Sequence, residues 1–188
     1  DWVRDFYISE APELKEKLVV WPAGVSVPDV SSDRLGDILI YVKNDHPDLV
    51  EIIKKNLDEK KTPFKILSYG GFRQTDYFKT LERSSALIYI SNSESQGLAL
   101  FEAWARNVPT LVWNRGYYEY RGLHWRDTKI SAPYLTEEAG YFFKDEKEFS
   151  GILEKFLSNS GNFEPRKYVV DNFTNKKIAC NFLRLIGI

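Results

Sequence analysis

Methionine is absent from the 188 residues, cysteine occurs once and histidine twice. The single thiol, Cys180, excludes an internal disulfide and fits a reducing compartment. His46 and His124 are too few and too far apart for a histidine-built metal site. The D-x-D pattern of metal-dependent sugar transfer is missing as well, so no metal and no cofactor is expected. Neither G-x-G-x-x-G nor G-x-x-x-x-G-K-[ST] occurs, which removes dinucleotide and P-loop chemistry. No G-x-S-x-G elbow presents a serine nucleophile. Apolar runs such as Ile38 to Val42 fall far short of the roughly 20 residues that cross a bilayer, and no signal-peptide pattern stands at the start. Neither sign of charge dominates: 26 basic residues face 27 acidic ones, whereas a nucleic-acid binder carries a basic excess. No nucleic acid, no transmembrane segment and a cytoplasmic placement are therefore expected, with peripheral attachment to a membrane left open. A natural start supplies a methionine, so a chain opening at Asp1 reads as a fragment, or as a trimmed or processed chain.

What is present is the composition of a soluble domain, 43% hydrophobic and 28% charged, of a length that buries one core. Aromatic residues reach 15%, which suggests a stiff core or a sticky surface. Short apolar, β-branched runs alternate with helix-patterned segments. Leu18 to Trp21 is β-prone and closed by Pro22 and Gly24. Ile38 to Val42, Phe64 to Tyr69, Ala86 to Ile90, Thr110 to Trp113 and Tyr141 to Phe143 read as strands. Between the first two, Asp45 or His46 caps a helix with Pro47 in its first turn. Leu49, Ile53 and Leu57 form its apolar stripe, and Glu51 and Lys55 an i,i+4 pair. Further helices are expected over 76–83, 96–106, 145–157, 165–172 and 175–185. Asn114 to Lys129 reads as a long loop rich in aromatics and arginines. This rhythm predicts an α/β fold, a Rossmann-like parallel sheet with helices on both faces. In such folds ligands bind beyond the carboxyl ends of the strands.

The segment Ser91 to Trp113 follows one such strand and ends in another. Ser93 and Gln96 have capping-box spacing, which puts a helix start near Glu94 or Ser95. Gly97 then lies in the first turn, where a missing side chain lets another group approach the backbone. Free amides there, backed by the helix dipole, form an anion site suited to a diphosphate. From Gly97 to Ala105 every side chain but that of Glu102 is apolar or absent, the mark of a helix buried almost all round. A lone carboxylate in that setting must be paired, hydrogen-bonded or open to a cleft. Hydrogen bonds to a sugar diol and a salt bridge to Arg106 one turn on are both open.

Glu94, Gly97, Leu98, Glu102, Ala103, Ala105 and Pro109, followed by a β-prone run, resemble the E-x7-E signature of retaining GT-B glycosyltransferases. Val20-Trp21-Pro22-Ala23-Gly24-Val25 looks like the junction that joins the two halves of that fold, and Ile38 to Lys43 like the first strand of its nucleotide-binding half. The resemblance covers about residues 19–188. It implies one half of a GT-B fold, the donor-binding domain, with residues 1–18 as the tail of a missing N-terminal acceptor domain or a linker. The implied partners are a nucleotide sugar and that missing domain. The implied activity is metal-independent transfer of a sugar from a nucleotide-diphosphate donor with retention, the isolated chain being incomplete and inactive. By the same resemblance Glu94 is catalytic, lying beside the donor sugar. Gly97 and Leu98 give amides to the diphosphate, Ser95 lies with them, and Glu102 holds the ribose hydroxyls. Lys43 stands for the family's arginine and meets the diphosphate as a point charge. Ser95 replaces a glycine and Ala23 an asparagine, the family's second basic residue has no match in 44–47, and one βα unit is missing before Ala86.

Other residues keep more than one reading. Gly70 and Gly71 shape either a wall near the base or a plain turn, and Arg73 is a candidate phosphate ligand. Tyr117, Tyr118, Arg121, His124 and Trp125 belong to a donor pocket or a lid, since long loops in compact domains tend to carry function. Two other classes of function stay open: a non-catalytic nucleotide-sugar-binding or scaffolding domain, and another GT-B class such as a nucleotide-sugar epimerase.

Overall fold

The computed structural model describes residues 1–29 and 36–188. Five parallel strands form the sheet: β1 (Asp37–Val42), β2 (Phe64–Ser68), β3 (Ser84–Ile90), β4 (Thr110–Trp113) and β7 (Gly140–Phe143), in the order β2-β1-β3-β4-β7. Its central strands are the continuous apolar runs of the sequence, as expected for strands covered on both faces. Side chains alternate across them with a period of two. In β1, Ile38, Ile40 and Val42 join one core with α2 (Pro47–Glu59) and α5 (Glu146–Ser158). Leu39 and Tyr41 face the other core, with α3 (Gln74–Arg83), α4 (Leu98–Ala105), α6 (Pro165–Asn172) and α7 (Asn175–Leu185). The expected fold, with helices on both faces, is the one found.

Local chemistry accounts for most element boundaries. Pro47 occupies the first turn of α2 after His46, whose side chain makes no capping bond. The stripe Leu49, Ile53 and Leu57 is buried. The expected Glu51–Lys55 pair is replaced, because Lys54 takes Glu51 at 2.6 Å and Lys55 reaches Glu59 at 4.0 Å. Asp145 caps α5 and Thr174 caps α7 through side-chain oxygens. Leu18 to Trp21 forms no strand. Val25 is tied in through its backbone, donating to the Phe173 carbonyl and bridging to Thr174.

The segment expected as a loop over 114–129 holds an antiparallel ribbon, β5 (Tyr117–Tyr120) and β6 (Leu123–Arg126). Arg121 and Gly122 both have positive φ, the backbone of a two-residue hairpin turn that matches strand twist. The ribbon's Tyr118 and Trp125 pack against Trp2 and Phe6 of α1 (Trp2–Glu10), with Ile130 below. Part of the stretch read as a tail or linker over 1–18 is thus a helix seated on this domain.

At the far edge of the sheet, Gly140 opens β7 opposite Thr110 with φ +148°. A Cβ there would stand 1.8 Å from the Thr110 carbonyl oxygen. Gly140→Ala should therefore lower stability by at least about 3 kcal/mol in urea unfolding, through a clash with an immovable backbone. Wild-type stability in that variant would contradict the β4–β7 register.

Candidate functional site

The chain runs from β1 to β2 on one side, then crosses to β3 on the other. The direction of winding therefore reverses between β1 and β3, and the carboxyl ends of these strands splay apart into a crevice. Lys43 follows β1 and Ser91 follows β3. Between them sits the carboxylate of Glu94.

Glu94 is 6% exposed, so its charge needs partners. It has several. Lys43 Nζ donates to Oε1 at 2.7 Å and to Oε2 at 2.9 Å. The Tyr89 hydroxyl donates to Oε1 at 2.6 Å, and Ser91 Oγ to the same oxygen at 3.0 Å. The loop backbone is held too. Trp2 Nε1 donates to the Glu94 carbonyl at 2.9 Å, and the Glu94 amide donates to the Ile130 carbonyl at 2.8 Å. Tyr89 and Ser91 were not legible as site residues: one reads as core, the other as a loop serine.

Four residues beyond Glu94, α4 begins. Gly97 is its N-terminal cap in the left-handed conformation, φ +82°, a backbone that glycine adopts without strain. The expected capping box does not form. Gln96 instead clasps Ala23, accepting from its amide and donating to its carbonyl, both at 2.8 Å. The helix therefore starts at Leu98, later than the spacing of Ser93 and Gln96 predicts. Among the described residues no acceptor meets the amides of Leu98 and Ala99. The amino end of α4 is open, with positive partial charge.

The helix is less enclosed than its composition implies. Leu98 is 55% exposed and Glu102, one turn later, is half-buried on the same face. Glu102 Oε1 accepts from Gln74 Nε2 at 2.7 Å. Arg106 Nη1 donates to the carbonyl of Glu102 at 3.2 Å, and its guanidinium covers the Phe78 ring at 3.9 Å. Burial pushes the Glu102 carboxyl above the ordinary carboxylate range, against smaller downward pulls from Gln74 and Arg106. Gln74 was not among the expected residues, because its side chain reaches the site only through the packing of α3 on α4.

Other candidates divide. Ser95 is exposed, and with Gln96, Tyr134 and residues of α1 and 18–22 it lines a separate cleft of about 350 Å³. Gly70 and Gly71 make a turn in which the Gly71 amide donates to the Ser68 carbonyl at 3.0 Å. Arg73 is spent on Asp76 at 3.3 Å, at the start of α3. Of the aromatic residues over 117–125, Tyr118 and Trp125 are committed to α1, while His124 and Arg121 are exposed on the ribbon. A larger cleft of about 480 Å³ opens on the α2 and α5 side, beside His46, Trp113 and Asp145, and none of the expected site residues lines it.

No family model matches the chain, and no curated protein matches it in sequence. Solved structures do. Staphylococcus aureus TarM, crystallised as a variant with fondaparinux, α-GlcNAc-glycerol and UDP, superposes with a TM-score of 0.64 at 12% identity, over 96% of this chain and 42% of that one. The lipopolysaccharide outer core galactosyltransferase WaaB gives 0.62 at 14% identity, over 91% and 56%. The pneumococcal O-GlcNAc transferase GtfA, with UDP and GlcNAc, gives 0.61 at 15% identity, over 97% and 43%. The fold is thus the Rossmann-like half of a GT-B glycosyltransferase fold. The chain spans about half the length of the structures it matches. Among the described residues no helix is long and apolar enough to cross a membrane.

Two outcomes follow from the buried charges. Lys43→Met should cost roughly 2 to 3 kcal/mol in urea unfolding, since it leaves the Glu94 carboxylate without a counter-charge. An unchanged midpoint would show that Tyr89 and Ser91 suffice. For Glu102 the folded-state affinity for the proton exceeds the unfolded one, so the group costs stability as pH rises from its ordinary value of 4.5 through the raised one. Glu102→Gln should therefore melt at a higher temperature than wild type at pH 7 and at the same temperature at pH 4, in the absence of ligand. A gain of equal size at both pH values would rule out this linkage.

Proposed function

We propose that this chain is the donor-binding half of a retaining, metal-independent glycosyltransferase that takes its sugar from a nucleotide-diphosphate sugar. The observation that carries the reading is the conjunction at the winding reversal: a cation on β1, unpaired amides at the start of α4, and a burial-raised carboxylate one turn along that helix. These supply what a ribosyl diphosphate needs. Lys43 and the amides of Leu98 and Ala99 neutralise the phosphates. Glu102 accepts hydrogen bonds from the ribose hydroxyls, and Gln74 orients it.

Glu94 keeps its role beside the donor sugar through an exchange of partners. Its Oε1 is fixed by Tyr89 and Ser91, whereas among the described residues Oε2 is held by Lys43 alone. Phosphates that draw Lys43 away free Oε2 for a sugar hydroxyl. When the bond from the anomeric carbon to the diphosphate breaks, the electron pair leaves with the phosphate, and the preorganised amides and ammonium meet that charge. The acceptor and the second wall of the cleft belong to a further domain, for which the fold comparison supports a place. Retention rests on the E-x7-E spacing of Glu94 and Glu102.

The closeness of the Lys43–Glu94 pair favours one other reading, a nucleotide-sugar-binding domain that has lost the chemistry. Both readings require nucleotide binding. At a free concentration of 100 times Kd, a nucleoside diphosphate should stabilise the fold by about 2.7 kcal/mol, which raises the melting temperature by roughly 5 to 10 °C. Lys43→Met and Glu102→Ala should each abolish most of that rise. Failure of every nucleoside diphosphate and nucleotide sugar to shift the melting temperature would sink both. In the protein carrying both halves, Glu94→Gln separates them: an enzyme loses turnover, a binding domain keeps its function.

A further inference from the structure

Three tyrosines stand side by side on the α3–α4 face of the sheet. Tyr41 stacks on Tyr89, its register partner across β1 and β3, at 5.1 Å, and meets Tyr77 edge-on at 5.3 Å. Two of the hydroxyls are used. Tyr77 donates to the Ala99 carbonyl at 2.7 Å and Tyr89 to Glu94 at 2.6 Å. The third is not. Tyr41 is only 4% exposed, yet its hydroxyl makes no hydrogen bond among the described residues.

The ring is buried but the hydroxyl is not among the wholly buried groups that lack a partner, so it lies where water or a ligand can reach it and accept its hydrogen bond. Its ring neighbours say where it lies: the hydroxyl of the stacked Tyr89 reaches Glu94, and that of Tyr77 reaches the Ala99 carbonyl in the first turn of α4. Burial, with smaller contributions from Glu94, Tyr69 and Glu102, pushes the Tyr41 phenol up to about 12. Its hydroxyl therefore stays protonated, a donor and not an anion, throughout the neutral range. The two carboxylates that act on it are those assigned above to the sugar and the ribose. Lys43 lies two residues on, just past the end of the strand, with its ammonium on the Glu94 carboxylate. The group that would complete Tyr41 thus has to reach the space between Glu94 and Glu102, next to an ammonium and the open end of α4.

We propose that Tyr41 is a ligand-positioning residue of the donor site, its hydroxyl donating a hydrogen bond to a phosphate oxygen of the bound nucleoside diphosphate. The inference rests on the donor-site reading and adds a recognition element to it. Lys43 and the helix amides offer charge without much direction, while a single phenol held by ring contacts with Phe72, Tyr77 and Tyr89 fixes one oxygen in place. Tyr41→Phe removes the donor and keeps the ring, hence the stack with Tyr89 and the contact with Tyr77.

Calorimetric titration of wild type and Tyr41→Phe with UDP, GDP and ADP, and with the corresponding nucleosides, tests this. The expected result is a loss of roughly tenfold in affinity for the diphosphate that wild type binds best. The nucleoside affinity and the ligand-free melting temperature should be those of wild type. Equal diphosphate affinity in the two proteins would overturn the role of Tyr41 and leave the donor site standing. Equal losses for nucleoside and diphosphate would overturn it too, by showing that the ring's packing alone matters. Absence of binding by wild type would remove the donor site and Tyr41 with it.

Discussion

A carboxylate cannot be buried without being answered, and Glu94 is answered from four directions. Its charge is met by Lys43 from β1 and by Tyr89 and Ser91 from β3 and its end. Its carbonyl is met by Trp2 of α1 and its amide by Ile130. Two sheet strands, the N-terminal helix and the segment below the aromatic ribbon therefore converge on one residue. The loop from Ser91 to Gly97 is irregular, but it is not loose. Because the partners come from four separate segments of the chain, the carboxylate keeps its place only when all of them are assembled.

Position in the sheet explains why such a residue sits here. Where winding reverses between β1 and β3, the strand ends splay into a crevice in which polar groups can gather. Lys43 lies at that opening, about one-third exposed. On its other side Tyr69 places a ring 5.9 Å from the ammonium. A few residues away the chain turns back into α4, whose start carries no side-chain cap and whose Leu98 and Ala99 amides meet no acceptor among the described residues. The same reversal that ends the apolar packing thus supplies a cation, an anion and a helix dipole within one crevice.

Much of this was legible in the sequence and some was not, for definite reasons. The central strands stand out because each carries a continuous apolar run needed to fill two cores, and Thr110 to Trp113 matches its strand end to end. Glu102 stands out as the one charge in an apolar helix. The start of that helix was misread because Ser93 and Gln96 have the spacing of a capping box. Spacing is silent about Ala23, 73 residues away, which claims the Gln96 amide on both sides. The β5–β6 ribbon was missed because its outer face is polar and its turn is Arg121-Gly122, without the asparagine or aspartate that usually signals one. Tyr41 was hidden by its own strand. Inside ILIYV it reads as one more core side chain, and only its unpaired hydroxyl shows otherwise.

The site has one wall in this chain, and that limits what its charges can do alone. Leu98 is largely exposed and Tyr69 is 66% exposed, so water reaches the groups assigned to the phosphates. An ion pair separated by 4 Å is worth about 1 kcal/mol in water and about 4 kcal/mol at the effective dielectric of a protein surface. Closing a second wall over Lys43 and the start of α4 would raise every one of these interactions without moving a residue. Binding and catalysis are thereby divided in a physical sense. On the proposed reading the open wall serves nucleotide recognition, since Glu102 is already half withdrawn from water and the ring of Tyr41 is buried. Stabilising the charge of a departing diphosphate asks for a drier setting than this face offers by itself.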